Sequence, residues 1–242
     1  MSRFRKLFAA LAISCLALLF GTAQSAPADE PNRVTAIDIV LEPDATMVTH
    51  ARADNDRLRK VFPDGFALDE THHPHISCLQ RYVKIEDLDK VYEAVDKILA
   101  EEKPTTWKLK AYKYYYIPAK DIGLAGIVIE PTDDLLRYQQ KLINAVAPYT
   151  VEKGTAAAFS APKEHPEINQ PTIDYVATFV PEASGKRFNP HVTIGIAPQD
   201  YLRKMLEEKF DAFTFSPVGV GVYHLGNFGT AREKLKSWEL AQ

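Results

Sequence analysis

Two copies of one short pattern constrain this chain more than any other feature. The first is His73-Pro74-His75-Ile76-Ser77-Cys78-Leu79, and 116 positions later comes Arg187-Phe188-Asn189-Pro190-His191-Val192-Thr193-Ile194-Gly195. Both read proline, histidine, β-branched aliphatic, hydroxyl, apolar. In a strand, side chains at i and i+2 share a face. Each copy therefore aims a histidine and a hydroxyl to one side and its apolar residues to the other. With seven histidines and 46% apolar content, one such match arises by chance on the order of 0.01 times in a chain of this length. The other histidines, His50, His72, His73, His165 and His224, do not fit the pattern.

The residues between the copies set an α+β context. Val34 to Leu41 reads as a strand, and Ala45 to Phe62 as an amphipathic helix closed by Pro63-Asp64-Gly65. The first motif strand runs from His75 to about Val83, and Leu88 to Leu99 carries one apolar helical stripe stopped by Pro104. Trp107 to Ile117 and Leu124 to Ile129 form extended segments, followed by a helix from Asp133 to Ala147. Pro148 to Thr172 holds four prolines and little periodicity, which predicts a long connection or flap between two halves. The second half then repeats the plan. Ile173 to Val180 reads as a strand, Pro181 to Asn189 as a polar turn, His191 to Ala197 as the second motif strand and Asp200 to Phe210 as a helix. Phe213 to Leu225 and Leu235 to Leu240 close as strands, and the alternating glycines of Val218 to Val222 allow close approach from one side. The expected fold is α+β, with two pseudo-symmetric lobes, each an antiparallel sheet with outer helices, flanking a central cleft.

The first 25 residues predict export. Arg3, Arg5 and Lys6 precede an apolar run from Leu7 to Phe20 and then small residues, the layout of a signal peptide cleaved near Ala23 or Ser25. The apolar run, about 14 residues, is short of the roughly 20 that span a bilayer. Residues 26–242 then make the mature bilobal domain, expected to be a periplasmic or secreted monomer without stable membrane insertion. Losing three of 29 basic residues against 32 acidic ones leaves 26 minus 32, a net charge of −6. Long duplex nucleic acid is a poor partner for such a surface. Cys15 leaves with the leader, so Cys78 has no disulfide partner, and its place on the apolar side of its strand reads as a small buried hydrophobe.

Two histidines on matching strands suit in-line cleavage of a phosphodiester. One imidazole activates water and the other protonates the leaving oxygen, since histidine fills either role near neutral pH. The hydroxyl two residues on would donate to the phosphate oxygens. No metal is expected: His72, His73 and His75 are adjacent in an extended chain and point apart, so His72 and His73 read as loop residues. Tyr112, Tyr114, Tyr115 and Tyr116 carry two readings, stacking on a nucleobase or packing across strands. Lys186 and Arg187 read as a solvated turn that could extend a phosphate site, and Tyr223 and His224 as candidates to line the cleft.

Pro-His-Ile-Ser-Cys and Pro-His-Val-Thr-Ile resemble the paired His-x-Thr/Ser-x motifs of the two-histidine (2H) phosphoesterase superfamily, which includes 2'-5' RNA ligase-like proteins and cyclic nucleotide phosphodiesterases. The approach Arg187 to Pro190 and the strand pair from Tyr114 to Ile129 are similar as well. The resemblance implies metal- and cofactor-free hydrolysis of a 2',3'-cyclic nucleotide or short RNA end, with His75 and His191 catalytic and Ser77 and Thr193 on the phosphate. Ser77 stands where threonine is commoner. The alternatives are 2'-5' phosphodiesterase or ligase activity, or a nucleotide-binding module of the same fold without turnover.

Overall fold

The strand Val34–Pro43 (β1) is mostly apolar on both faces, with Asp38 in its middle, and is buried along nearly its whole length. A strand of that kind belongs inside a sheet. β1 indeed lies between Ile76–Lys84 (β2) and Pro217–Leu225 (β8), antiparallel to both. The protein is described by a computed structural model that covers residues 33–163 and 166–240. The leader expected at residues 1–25 lies outside the described residues.

Helix Ala45–Val61 (α1) starts where Asp44 accepts from the backbone amides of Thr46 and Met47. It buries Met47, Ala51, Asn55 and Leu58, spaced by three and four. After β2 come Leu88–Glu101 (α2), the hairpin Leu109–Ala119 (β3) and Ile122–Ile129 (β4), and Asp133–Val146 (α3), capped by Thr132. The hairpin turns on Lys120 and Asp121, with Lys120 in the left-handed region (φ 48°). The remaining elements are Thr150–Val151 (β5), Gln170–Ala183 (α4), His191–Pro198 (β6), Gln199–Glu207 (α5), Phe213–Phe215 (β7), β8 and Ala231–Glu239 (β9).

Among the described residues the strands run β7-β3-β4-β6-β2-β1-β8-β9, with β5 added to β2. Every recorded pairing is antiparallel, and β2 and β6 meet at one pair, Ile76 and Val192. That pair is the seam between two lobes, β7-β3-β4-β6 with α1 and α5, and β2-β1-β8-β9 with α2 and α3. The α+β bilobal expectation holds, but the lobes are not the two halves of the chain. β8 returns from the C-terminal end to flank β1 and carries β9 on its outer side, while β4, paired with β3, joins the late strand β6.

The segment expected as a strand from Ile173 to Val180 is instead helical, inside α4. Its β-branched and aromatic residues favour a strand in isolation. Three other features carry the helix. Asn169 caps it by accepting from the Thr172 amide, Pro171 sits in the first turn, and Val176 and Phe179 bury at helical spacing. Pro181 is tolerated near its end. α4 packs on β2 from the side that Ala36 and Tyr82 face, with the Tyr82 hydroxyl donating to the Ile173 carbonyl at 2.9 Å. The connection before it is partly structured. β5 pairs with β2, and Phe159 meets the Tyr82 ring edge-on.

Candidate active site

His75 stands just before β2, and His191 opens β6. A proline precedes each, and in both places the imidazole Nδ1 lies close to the carbonyl two residues earlier, at 2.6 Å from the His73 oxygen and 2.7 Å from the Asn189 oxygen. A carbonyl only accepts, so Nδ1 carries the proton in both rings. In the neutral imidazole Nε2 is then left as a bare lone pair. Proline explains why the motif repeats its first position: fixed φ and a missing N–H hold a bend in which the preceding carbonyl can reach the ring.

The seam brings the two motifs together. Ile76 and Val192 face each other across β2 and β6 and are fully buried. Continued by one residue each way, that register sets His75 opposite Thr193 and Ser77 opposite His191, all on the face away from Ile76 and Val192. The two histidines become diagonal neighbours, roughly 7–8 Å apart in a regular ladder. Thr193 and His75 line one cavity, together with Phe66, Leu68, His72 and Phe228. Both motif strands also carry a bulge at the fifth motif residue. Leu79 and Ser77 pair with Ile39 and Val40, which leaves Cys78 extra, and Gly195 and Thr193 pair with Ala125 and Gly126, which leaves Ile194 extra.

The bulge at Cys78 has a chemical consequence. In an unbroken strand Ser77 and Gln80 would point to opposite faces; with one residue looped out they share a face, and both reach Asp38 of β1. Asp38 Oδ2 accepts from the Ser77 hydroxyl at 2.5 Å and from Gln80 Nε2 at 2.9 Å. It lies 3.6 Å from His75 Nε2. Asp38 Oδ1 is buried with no partner. Burial pushes the Asp38 carboxyl up to about 7, against the two hydrogen bonds that pull it down. Burial also draws His75 down to about 4, opposed by the His73 carbonyl and helped by charge on His191. The contact between Asp38 and His75 is therefore close in distance yet not an ion pair near neutral pH, since both groups are driven toward their neutral forms. His191 is lowered too, by burial and against its bond to Asn189.

Sequence reasoning passed over Asp38, although one charge in the middle of an apolar strand was the available signal. It also passed over Tyr175 of α4. Burial lifts the Tyr175 hydroxyl to about 12, with Asp38 adding to the rise, and Tyr115 is raised by burial and then by Tyr175. Tyr115 packs edge-on against His191, ring centroids 4.7 Å apart. The packing of α4 on β2 through Tyr82, on the face that also carries Ser77 and Gln80, puts it on the histidine side of the sheet.

The other candidates separate cleanly. Of the tyrosines at 112–116, Tyr115 faces His191, Tyr114 donates to Asp54 and packs with Tyr116 against the core, and Tyr112 carries the Lys113 ammonium over its ring. Lys186 and Arg187 are exposed, with Arg187 bonded to the Pro181 carbonyl. His72 stacks on Phe66, and His73 tilts against Tyr223. Tyr223 is buried and donates to Glu42 at 2.6 Å. The alternating glycines of β8 make room for that pair, since a Cβ on Gly219 would stand 2.7 Å from Glu42 Oε2 and one on Gly221 2.5 Å from the Tyr223 ring. His224 turns away and donates to the Ala158 carbonyl. Cys78 is a buried free thiol, pushed well up by burial.

No family model matches the chain, and no curated protein matches it. Among solved structures it is similar to TT0787 of Thermus thermophilus, with 13% identity and a TM-score of 0.50 over 85% of this chain and 98% of that one. It is also similar to E. coli LigT complexed with NADP+ (12% identity, TM-score 0.42, 87% of this chain and 100% of that chain). For E. coli LigT complexed with ATP the figures are 12%, 0.41, 87% and 100%. The likeness to TT0787 is one of fold.

Proposed function

We propose that this chain, which resembles the two-histidine phosphoesterases in its paired motifs and shares its fold with TT0787, hydrolyses a cyclic phosphodiester such as a nucleoside 2',3'-cyclic phosphate or an RNA end. The observation that carries this reading is the pair of Nε2 atoms on one face of the β2–β6 seam, each prepared by the same Nδ1–H bond to a carbonyl two residues back. One imidazole takes a proton from water as the water oxygen bonds to phosphorus. The other, protonated at Nε2, gives its proton to the departing ribose oxygen, and the product is a monoester beside a free hydroxyl. The negative phosphate favours imidazolium and offsets the lowering that burial imposes on the empty site. Thr193, whose hydroxyl makes no hydrogen bond among the described residues, is free to donate to a non-bridging oxygen. The acidic balance of the chain supports a small substrate over duplex nucleic acid, and the pattern of residues 1–25 supports export.

The test is turnover of a panel of 2',3'-cyclic nucleotides by the purified protein in chelator, with His75→Ala and His191→Ala alongside. Each substitution is expected to lower kcat/KM by roughly 10²- to 10⁴-fold. Activity that survives both substitutions removes the site, and activity abolished by chelator removes the metal-free reaction.

A further inference from the structure

The two motifs are matched in position but not in hydrogen bonding. Thr193 keeps its hydroxyl proton available, whereas Ser77 gives its own to Asp38 Oδ2 at 2.5 Å. While that bond runs from serine to carboxylate, Ser77 offers a phosphate oxygen only lone pairs, and a buried anion stands behind it. Both effects repel a phosphodiester.

We propose that Asp38 is a positioning residue that holds a proton when the site takes its substrate: the neutral acid donates from Oδ2 to Ser77 Oγ, and the Ser77 hydroxyl turns its own proton to the phosphate. This rests on the phosphodiester reading above. The arrangement around Asp38 favours the neutral form on geometry. A carboxylate would leave Oδ1 buried without a donor, at a cost of a few kcal/mol. No cation contacts either oxygen among the described residues, and the nearby His75 already has its Nδ1 proton committed to a carbonyl.

The groups facing Asp38 come from five elements. β1 itself contributes Glu42, β8 contributes Tyr223 in register with Asp38, and β9 contributes Lys234, which pairs with Glu42 at 2.9 Å. β2 contributes Ser77 and Gln80, with His75 at its start, and α4 contributes Tyr175. Glu42 pairs with Lys234 and accepts from Tyr223, burial raises the Tyr175 and Tyr223 hydroxyls, and burial lowers His75 to about 4 and His191 from its ordinary value. Asp38, pushed up to about 7 by burial, changes charge across neutral pH, and its carboxyl signal separates it from His72, His73 and His75 around the same cavity and from His191.

The probe is dimethyl phosphate, a diester that stays a monoanion across the whole range. Its binding to the full chain is followed by ³¹P line broadening, and the Asp38 carboxyl by ¹³C NMR on aspartate-labelled protein. The wild type should show one aspartate carboxyl with a midpoint near 7, moved upward by the probe, and affinity falling roughly tenfold between about pH 6 and pH 8.5. Asp38→Asn, which has no proton to gain or lose across this range, should lose the part of the pH dependence that follows the carboxyl midpoint. A carboxyl midpoint below about 5, or a pH dependence that Asp38→Asn retains in full, overturns the proposal. If Asp38→Asn does not fold, Ser77→Ala serves: it should weaken binding at about pH 6 and flatten the profile, and an unaltered profile overturns the proposal as well. Absence of binding at every pH sinks the phosphodiester reading itself; binding that ignores pH and Asp38 sinks only the role of Asp38.

Discussion

Asp38 and His75 titrate in opposite senses, and their effects on stability overlap. The folded-state value of Asp38 is raised, so its contribution is fully present below about 3.8 and is lost as pH rises to about 7. The loss is worth roughly 4 kcal/mol. His75 is lowered to about 4, so the fold is penalised in acid and recovers as pH climbs to about 6.5, by roughly 3 kcal/mol. Between about pH 4 and 6.5 the two nearly cancel, and the wild type should be almost flat there. Asp38→Asn leaves the His75 limb alone, so the stability of the variant relative to the wild type should grow from about pH 4.5 to pH 8. Urea unfolding at three pH values measures this difference, and a difference that does not change with pH would disprove the assignment.

At the level of elements, the hairpin β3–β4 matters to the site through one small residue. Tyr115 reaches His191 by lying across Gly126, where an added Cβ would collide with the tyrosine ring and stand 3.1 Å from the Val192 carbonyl. The backbone contact cannot yield without disturbing β6, so the ring must move. Gly126→Ala should therefore cost about 1–3 kcal/mol and release His191 from part of its burial, returning its titration toward the ordinary histidine range. Thermal unfolding and an NMR titration of His191 report the two effects separately; a destabilised variant with unaltered His191 titration would mean that Tyr115 does not shape that imidazole. The same scale explains the error over α4. Thr172, Ile173, Tyr175 and Val176 look like strand residues when read locally, and only the Asn169 cap, held by Asn227 at 2.6 Å, together with packing on Tyr82 selects the helix.

Across the molecule, each lobe borrows strands from both ends of the chain. β1 needs β8 on its outer side, and β6 needs β4, so neither half closes its own sheet. Asn55 of α1 ties distant segments further, donating to the Phe66 and Ile194 carbonyls and accepting from the Leu68 amide while almost fully buried. Residues 33–147 and 148–240 expressed separately should each lack a cooperative unfolding transition, because both would expose long unpaired sheet edges. Dispersed amide spectra from either fragment alone would show that the lobes are contiguous after all.

The paired motifs, the alternation of the motif strands and the helical stripes of α1, α2, α3 and α5 were legible because each is a local periodicity, set by residues near one another in the chain. His75, His191, Ser77 and Thr193 could be named for the same reason. Asp38 could not be joined to them by reading alone. Its partnership with Ser77 and Gln80 depends on the β1–β2 register and on one looped-out residue, Cys78, and a one-residue shift in register turns every side chain to the other face. The strand order, the helix at residues 170–183 and the unequal hydrogen bonding of the two hydroxyls were likewise settled by contacts between segments far apart in sequence, where burial and long-range pairing outweigh local preference.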